Sequence, residues 1–344
     1  QDRISLPLGS LRLRTLKDRN PSSLMLMIKD EISRVSWISK FNKRPVFAVG
    51  GSWRNLARMH MSADKYPLRI IHGYKIASPS FILFLEKITH SSLKELEVMG
   101  GVSKKRIKEV TISAFILKSL LELGKNNSII FSAFGIREGC IFKNLSSEEQ
   151  KKDPLLINCE KIASSTRRFT LTSNELENWA LPLFKDLDKH NRRLLKAACI
   201  LSDFAWADHP SYRAEQAFLR ILQFPAMGLT HDDKVFLALT ILVRYGGNLS
   251  DFELEKWNEL ISLERLHTAL KIGTAIRLGI TLSAGLDGLL QQIEMVKHKK
   301  IIMIRYAPEV ISISRDAISQ KIENLSKHFN CSVELESSSS RSIN

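Results

Sequence analysis

The feature that most constrains this fold is a short apolar segment that ends in a turn bracketed by glycines. Ser128–Phe131 is too short and too apolar to be anything but a buried strand. Ser132–Gly139, which reads Ser-Ala-Phe-Gly-Ile-Arg-Glu-Gly, cannot continue that strand, because its glycines bracket an arginine and a glutamate. Open α/β sheets place ligand groups at such junctions, where backbone N–H groups point out of the carboxyl edge. Taken alone, the segment is also typical of an ordinary exposed turn.

A second junction of the same kind occurs earlier in the chain. Arg44–Val49 is predicted to be another buried strand, and Gly50, Gly51 and Ser52 follow it at once. A helix is predicted from Trp53, with Ser52 as its N-cap. Two strand–glycine–helix junctions in one segment indicate a single crevice that both of them line.

Three motifs in a fixed order resemble those of a known family. They are Ser-Leu-Pro-Leu-Gly-Ser-Leu-Arg-Leu at 5–13, Gly-Gly-Ser-Trp-Arg-Asn-Leu-Ala at 50–57 and Gly-Ile-Arg-Glu-Gly at 135–139. The Ppx/GppA family of exopolyphosphatases and guanosine pentaphosphate phosphatases carries similar motifs in this order and at about this spacing. No single motif is decisive, and the resemblance rests on the ordered set.

The resemblance implies an actin-like, ribonuclease H-like fold, in which phosphate loops of two lobes face each other. The family's two aspartate–glycine phosphate loops and its catalytic carboxylate precede the Ser-Leu-Pro-Leu-Gly motif, and they do not occur in this chain. The chain therefore resembles a C-terminal portion that lacks the first actin-like lobe. The catalytic residue is unknown for this chain, and we expect the chain by itself to be inactive.

The resemblance also suggests phosphate-binding residues at both glycine junctions. Gly50 and Gly51 match the family's adenosine-type motif, where the backbone approaches the ligand, although a tight helix start explains these glycines equally well. Arg54 is predicted either to reach a phosphate or to lie on the solvent face of the helix. These residues are the first half of the predicted site.

The second half of the predicted site lies at two later turns. Arg106 follows a glycine-led basic turn, where the family places an arginine that faces the phosphate crevice, and arginine offers forked donors to phosphate oxygens. Arg137 is predicted to contact phosphate with Glu138 orienting it. The alternative for Arg137 and Glu138 is an internal ion pair that fixes the turn.

The helical part of the chain carries an altered metal motif. Leu194–Asp203 occupies the place where the family has an HD-type helix that ends in His-Glu or His-Asp. Here Ser202 replaces the histidine, and a hydroxyl is a poor substitute for imidazole. Asp203 and His209 make too few ligands, so we predict an HD-like domain without a metal ion.

The charge balance indicates an anionic partner. The chain has 51 lysines and arginines against 36 acidic residues, a net charge of +15. Polyphosphate, a nucleotide, nucleic acid and a membrane surface all fit this balance. The sequence contains no basic run interleaved with aromatic residues, which disfavours nucleic acid. Candidate basic patches lie at Lys104–Lys108, Arg192–Lys196 and Lys297–Lys300.

Other features of composition predict a cytoplasmic protein. No run of 18 apolar residues is present, so we expect no membrane segment. The N-terminal residues do not have the pattern of a secretory signal. The four cysteines are scattered without paired spacing, which fits a reducing compartment better than a disulfide framework.

The pattern of helices and strands predicts an α+β multidomain chain. A partial actin-like α/β lobe is expected first, then an all-helical HD-like domain, then a small C-terminal α/β domain and a disordered tail. Within the first lobe, a strand is predicted near Ile4–Leu6 and an inserted hairpin or loop at Asp64–Ser78. The predicted boundaries are 1–150, 151–280, 281–336 and 337–344.

Two functions from different classes remain open. The leading hypothesis is a phosphoric anhydride hydrolase that releases terminal phosphate from polyphosphate or guanosine pentaphosphate. The resemblance implies Mg²⁺ as its cofactor, a homodimer, and this chain as one wall of the crevice. The alternative is a non-catalytic module for polyanion binding and dimerisation. A metal-dependent HD phosphohydrolase is a third reading, against which Ser202 argues.

Overall fold

The computed structural model describes residues 2–9, 12–13, 21–166, 168–249, 255–307 and 315–337. The predicted tail after Ser337 lies outside these ranges. Contacts divide the chain into two compact units, Gln1–Lys151 and Lys152–Asn344. Both contain helices and a small sheet, which confirms the α+β class.

The first unit alternates three strands with helices. Its strands are β1 (Pro45–Val49), β2 (Tyr74–Ala77) and β3 (Ser128–Ser132). Its helices are α1 (Pro21–Ser33), α2 (Gly51–Ala63), α3 (Ser78–His90), α4 (Leu93–Met99), α5 (Lys104–Gly124), α6 (Ile136–Lys143) and α7 (Ser147–Lys151), with a 3₁₀ turn at Ile38–Phe41.

The sheet of the first unit is mixed. Its strand order is β1-β3-β2, with β1 parallel and β2 antiparallel to β3. Val49 and Ser132, the last residues of β1 and β3, are register partners. The two glycine junctions therefore leave the sheet side by side at one edge.

The prediction of two buried strands is half right. Strand β3 lies in the middle of the sheet, and Ile129 and Phe131 are fully buried. Strand β1 is an edge strand in which Ala48 alone is buried, while Phe47 is 64% exposed. Both strands are apolar, and the apolar run alone does not tell an edge strand from a central one.

Three local predictions also need correction. Residues 4–6 do not form a strand in this structure. The segment predicted as an inserted hairpin or loop, 64–78, contains β2, which pairs with β3 and not within the insertion. Ser52 is not an N-cap, because helix α2 begins at Gly51, two residues earlier than predicted, with Gly50 in the cap position.

Two hydrophobic clusters hold the first unit together, one on each side of helix α5. The larger cluster packs α2, α3 and the sheet against residues such as Leu117 of α5. The smaller cluster packs Leu8, Leu13 and helix α1 against Ile112 and Ile116 of α5. Because α5 belongs to both clusters, it fixes the Leu8–Gly9 segment relative to the sheet.

The second unit is mainly helical. Its helices are α8 (Pro154–Thr166), α9 (Ser173–Ala180), α10 (Lys189–Ile200), α11 (Arg213–Gln223), α12 (His231–Arg244), α13 (Glu255–Asn258), α14 (Leu263–Ser283) and α15 (Arg315–Phe329). Its strands are β4 (Ile293–His298), β5 (Ile301–Tyr306) and β6 (Ser332–Ser337), in the order β4-β5-β6.

Helix α12 is the centre of the second unit. All of its residues except Asp232 are buried, as expected for a helix surrounded by other elements. It packs against α11 and α14, and α14 in turn packs against α15. The segment 281–336, predicted as a small α/β domain, thus lies in the same compact unit as the preceding helices.

Among the described residues, no helix is both long enough and apolar enough to cross a membrane.

The first fold prediction concerns Gly101, which has a φ of 78° and lies against helix α2. An added Cβ there would lie 2.6 Å from the carbonyl oxygen of Arg58. Substitution G101A should lower the free energy of unfolding by about 2–4 kcal/mol, from the left-handed backbone and the overlap together. Urea denaturation, with hydrogen exchange of α2 and α5 peptides, measures the loss.

The matched control for this prediction is G139A. Gly139 lies inside helix α6 with an ordinary φ and no neighbour within 4 Å of an added Cβ. This variant should be neutral or slightly more stable, because alanine favours helix more than glycine does. Equal stability of G101A and G139A would contradict the packing described for Gly101.

Candidate functional site

The three sequence motifs meet around Val49 at the carboxyl edge of the first sheet. Val49 lines a cavity of about 260 Å³ together with Leu8 and Gly9 of the first motif and Gly50–Trp53 of the second. An added Cβ on Gly135, from the third motif, would lie 3.5 Å from Val49 Cγ1. The fold thus brings together segments that are more than 80 residues apart in the chain.

The N-terminus of helix α2 opens into this cavity. Gly50 holds the N-cap position with φ 129° and ψ 159°, a conformation that is essentially restricted to glycine. Because glycine has no side chain, Gly50 itself cannot cap the N–H groups of the first turn. A helix end of this kind carries partial positive charge and binds anions, phosphate among them.

Two glycines in the cavity wall are not required by backbone geometry. Gly9 and Gly51 have ordinary φ values, and an added Cβ on either would meet nothing within 4 Å. Neither close packing nor a left-handed backbone therefore explains them. Their small size leaves space beside the α2 N-terminus, as expected where a backbone approaches a ligand.

Arg54 ties the two glycine junctions together. Its Nε donates to the carbonyl oxygen of Gly50 at 3.2 Å, and its Nη1 donates to that of Ala133 at 3.2 Å. These two bonds fix the turn after β1 against the turn after β3. Of the two alternatives, phosphate contact or a solvent-facing side chain, the described bonds add a third role, which is bracing the site.

Glu138 closes the N-terminus of the neighbouring helix α6. Its Oε2 accepts the Gly135 N–H at 2.6 Å, and this backbone hydrogen bond lowers the pKa of the carboxyl group. A carboxylate thus occupies the position where an anion would bind α6. Of the two neighbouring helix starts, that of α6 is capped by a carboxylate, whereas the N-cap of α2 is a glycine without a capping side chain.

Arg137 and Arg106 are placed differently from the glycines. Arg137 is exposed in the first turn of α6, next to the capping Glu138. Arg106 is exposed in the first turn of α5, and Gly101 before it packs against Arg58, two turns along α2 from the cavity. Within the described residues no contact joins Arg106 to the glycine pair.

At the altered HD motif, the aspartate is engaged in an internal ion pair. Asp203 is buried, accepts the Arg168 backbone N–H at 3.1 Å and pairs with the Arg168 guanidinium at 3.3 Å. Ser202 is buried beside it, whereas His209 is exposed and accepts the Ser211 N–H. An arginine therefore neutralises the aspartate that would otherwise serve as a metal ligand.

Acidic and histidine side chains do not gather into a metal site. Across the described part of the chain, no group of three or more His, Cys, Asp or Glu side chains could hold a metal ion. At the sheet edge the segments 49–54 and 132–138 carry one carboxylate, that of Glu138, and it already accepts a backbone N–H. The donors that Mg²⁺ prefers are thus not assembled by these segments.

The predicted basic patches differ in how far they are neutralised. In Arg192–Lys196, Arg192 donates to backbone carbonyls, Arg193 pairs with Asp153, and Lys196 lies 3.6 Å from Glu177. Most of this charge is therefore held by internal partners. In the patch at Lys297–Lys300, by contrast, the last two lysines are exposed at the β4–β5 turn.

The residues of the cavity that sequence reasoning missed come from outside the glycine turns. Ser113 and Ile116 reach it from the middle of helix α5, and no local motif marks them. Leu8 and Gly9 belong to a motif that carried the resemblance, so a signal existed, but it did not identify them as lining residues. Arg168 has no sequence signal, because its partner Asp203 is 35 residues away.

Comparison with known proteins identifies the family. The exopolyphosphatase C-terminal family matches residues 156–329, about half of the chain. The chain belongs to the exopolyphosphatase family. The match covers the helical unit with the altered HD motif, and the resemblance of the first three motifs agrees with it.

A relative from yeast extends the similarity into the first unit. Retrograde regulation protein 2 of Saccharomyces cerevisiae is 25% identical over 281 residues, which cover 74% of this chain and 47% of the relative. The chain thus spans about half the length of the curated relative that it matches. The relative's name describes a regulator.

The altered HD motif leads to a prediction about Asp203. Substitution D203A should lower the free energy of unfolding by about 1–3 kcal/mol, because it leaves Arg168 without its buried acceptor. D203N should cost less, since an amide oxygen still accepts the Arg168 backbone N–H. Elemental analysis should find no stoichiometric transition metal in the wild type or in D203A. Near-stoichiometric Mn, Fe or Zn that is lost in D203A would overturn the ion-pair role.

Proposed function

We propose that the first unit forms the phosphate-binding wall of an exopolyphosphatase-type site. The observation that carries the proposal is the cavity at the α2 N-terminus, which residues of the first two motifs line and whose Val49 lies beside Gly135 of the third. Gly9 and Gly51 leave room for the ligand, and the first N–H groups of α2 are oriented to receive an oxyanion. Arg54 holds the two turns in place, and Arg137 and Arg106 supply positive charge along the approach.

The ligand in this proposal is the terminal phosphate of polyphosphate or of guanosine pentaphosphate. Both are dense anions, which a chain with a net charge of +15 attracts in a salt-dependent way. The proposed reaction of the whole protein is hydrolysis of a phosphoric anhydride, in a homodimer that uses Mg²⁺. The carboxylates for that ion would come from outside the described residues, because the sheet edge offers Glu138 alone, which already caps α6.

A second candidate is a binding module without catalysis. Two observations favour it for this chain. The Glu138 carboxylate already caps helix α6, and the Asp203 carboxylate already pairs with Arg168. The relative that matches most of this chain is named as a regulation protein. In this reading the same cavity senses a phosphate ligand and does not hydrolyse it.

Phosphate binding at the cavity is tested by S52D, with S52N as the matched neutral variant. Ser52 lies in the first turn of α2, so an aspartate there repels an anion while favouring the helix dipole. We expect tripolyphosphate to bind S52D about tenfold or more weakly than S52N, without loss of thermal stability. Hydrogen exchange of the 49–56 peptide reports binding at this place alone.

The S52D experiment has one outcome that supports the proposed site and one that contradicts it. Protection of the 49–56 amides by tripolyphosphate in S52N, and its loss in S52D, supports the proposed site. Equal protection in the two variants, or none in the wild type, would remove the cavity from phosphate binding.

Catalysis is tested by measuring phosphate release from long polyphosphate by the purified 344-residue chain. We expect release at the level of the heat-inactivated control, because no free carboxylate lies at the described sheet edge. E138Q is the matched variant. Turnover that persists through purification and is lost in E138Q would instead assign a catalytic role to Glu138 and make this chain an enzyme.

A further inference from the structure

A second cavity, in the C-terminal unit, is lined by cations and amides. It has a volume of about 600 Å³, within the range of small-molecule pockets, and lies between the 246–249 loop, α14 and α15. Its basic residues are Arg277, Lys321, Lys327 and His328. Gln320 and Asn324 add amide groups, and none of the described lining residues is acidic.

Helix spacing explains why α15 contributes so much of this wall. Residues 320, 321, 324, 327 and 328 recur at intervals of three and four, so they share one face of the helix. That face looks into the cavity, while the buried Ile318 and Leu325 pack in the core. The arrangement directs two lysines, a histidine and two amides to the same space.

Arg277 faces these groups from helix α14 without a described partner of its own. Its guanidinium is half-buried, and burial lowers its pKa. No hydrogen bond or ion pair of this guanidinium occurs among the described residues. Desolvating a cation without a counter-charge is costly, which suggests that an anion completes the site.

The Arg277 guanidinium lies against Gly246. Gly246 has a φ of 83°, and an added Cβ there would collide with this guanidinium. The guanidinium is not needed to cap helix α12, because the N–H groups of Gly246 and Gly247 already donate to Val243 and Leu242 at 2.9 Å. Among the described residues, its donors therefore have no acceptor and face the cavity.

His328 reports the local excess of positive charge. Burial lowers its pKa, and Lys327, His267 and Lys271 lower it further. These groups lie on α15 and α14, the two helices that face each other here, and no carboxylate offsets them among the described lining residues. A bound anion would reverse this effect and raise the pKa of His328.

We propose that this cavity binds a compact oligophosphate, meaning a small molecule that carries three or more phosphate groups. Three permanent cations and a histidine in about 600 Å³ match such a charge density, and arginine and lysine are the usual phosphate ligands. A nucleic-acid duplex cannot enter a space of this size. The site is distinct from the sheet-edge cavity of the first unit, and it does not depend on the function proposed above.

The test compares K321E with K161E, two variants that make the same change in net charge. Lys321 lines the cavity, whereas Lys161 is exposed on helix α8, outside the cavity and outside the basic patches. Titration with tripolyphosphate at physiological salt should show about tenfold or greater weakening in K321E and little change in K161E. R277Q should weaken binding likewise, and hydrogen exchange of the 318–329 peptide locates the ligand.

Further measurements identify the type of ligand and distinguish a loss of binding from a loss of folding. Tripolyphosphate, adenosine triphosphate and inositol hexakisphosphate are compared, and the tightest of the three identifies the ligand type. Binding should raise the NMR-measured pKa of His328 in the wild type and in S52D alike, since S52D alters the other cavity. Equal loss in K321E and K161E, or an unchanged pKa of His328, would overturn the proposal.

Discussion

The parallel pairing of β1 with β3 is the interaction on which the candidate site depends. Its register places Val49 beside Ser132, so two glycine turns separated by about 80 residues leave the sheet at the same edge. Arg54 then bonds to a carbonyl oxygen in each turn and holds them together. Helix α5, packed on both sides, brings the Leu8–Gly9 segment to the same place. The cavity is a consequence of these three attachments.

Whether each charged group already has an internal partner decides what the surfaces of this chain can bind. The α6 helix start is occupied by Glu138, and the arginines near Arg192 are held by carbonyls and Asp153. By contrast, the N-cap of α2 is a glycine without a capping side chain, and no acceptor for the Arg277 guanidinium occurs among the described residues. A net charge of +15 therefore says less about binding than the location of the positive groups that remain unneutralised.

The second unit shows how a family fold persists when a metal motif is altered. The matched region keeps a central buried helix, α12, with α11 and α14 packed around it. At the altered motif Arg168 pairs with Asp203, which satisfies a buried carboxylate by a side chain of the same unit. Apolar packing and one ion pair suffice to maintain this arrangement without the imidazole that Ser202 replaces.

The sequence by itself indicated the family through its resemblance in three ordered motifs. It also determined the α+β class, the buried strand β3 and the two glycine junctions, because these follow from local periodicity and from glycine's backbone freedom. It did not determine that β1 is an edge strand, that Glu138 caps α6, or that Arg54 joins two turns. Nor did it mark Ser113, Arg168 or Arg277, whose roles depend on partners distant in the chain. Tertiary structure decided these points, since burial and hydrogen-bond partners depend on which segments the packing brings together.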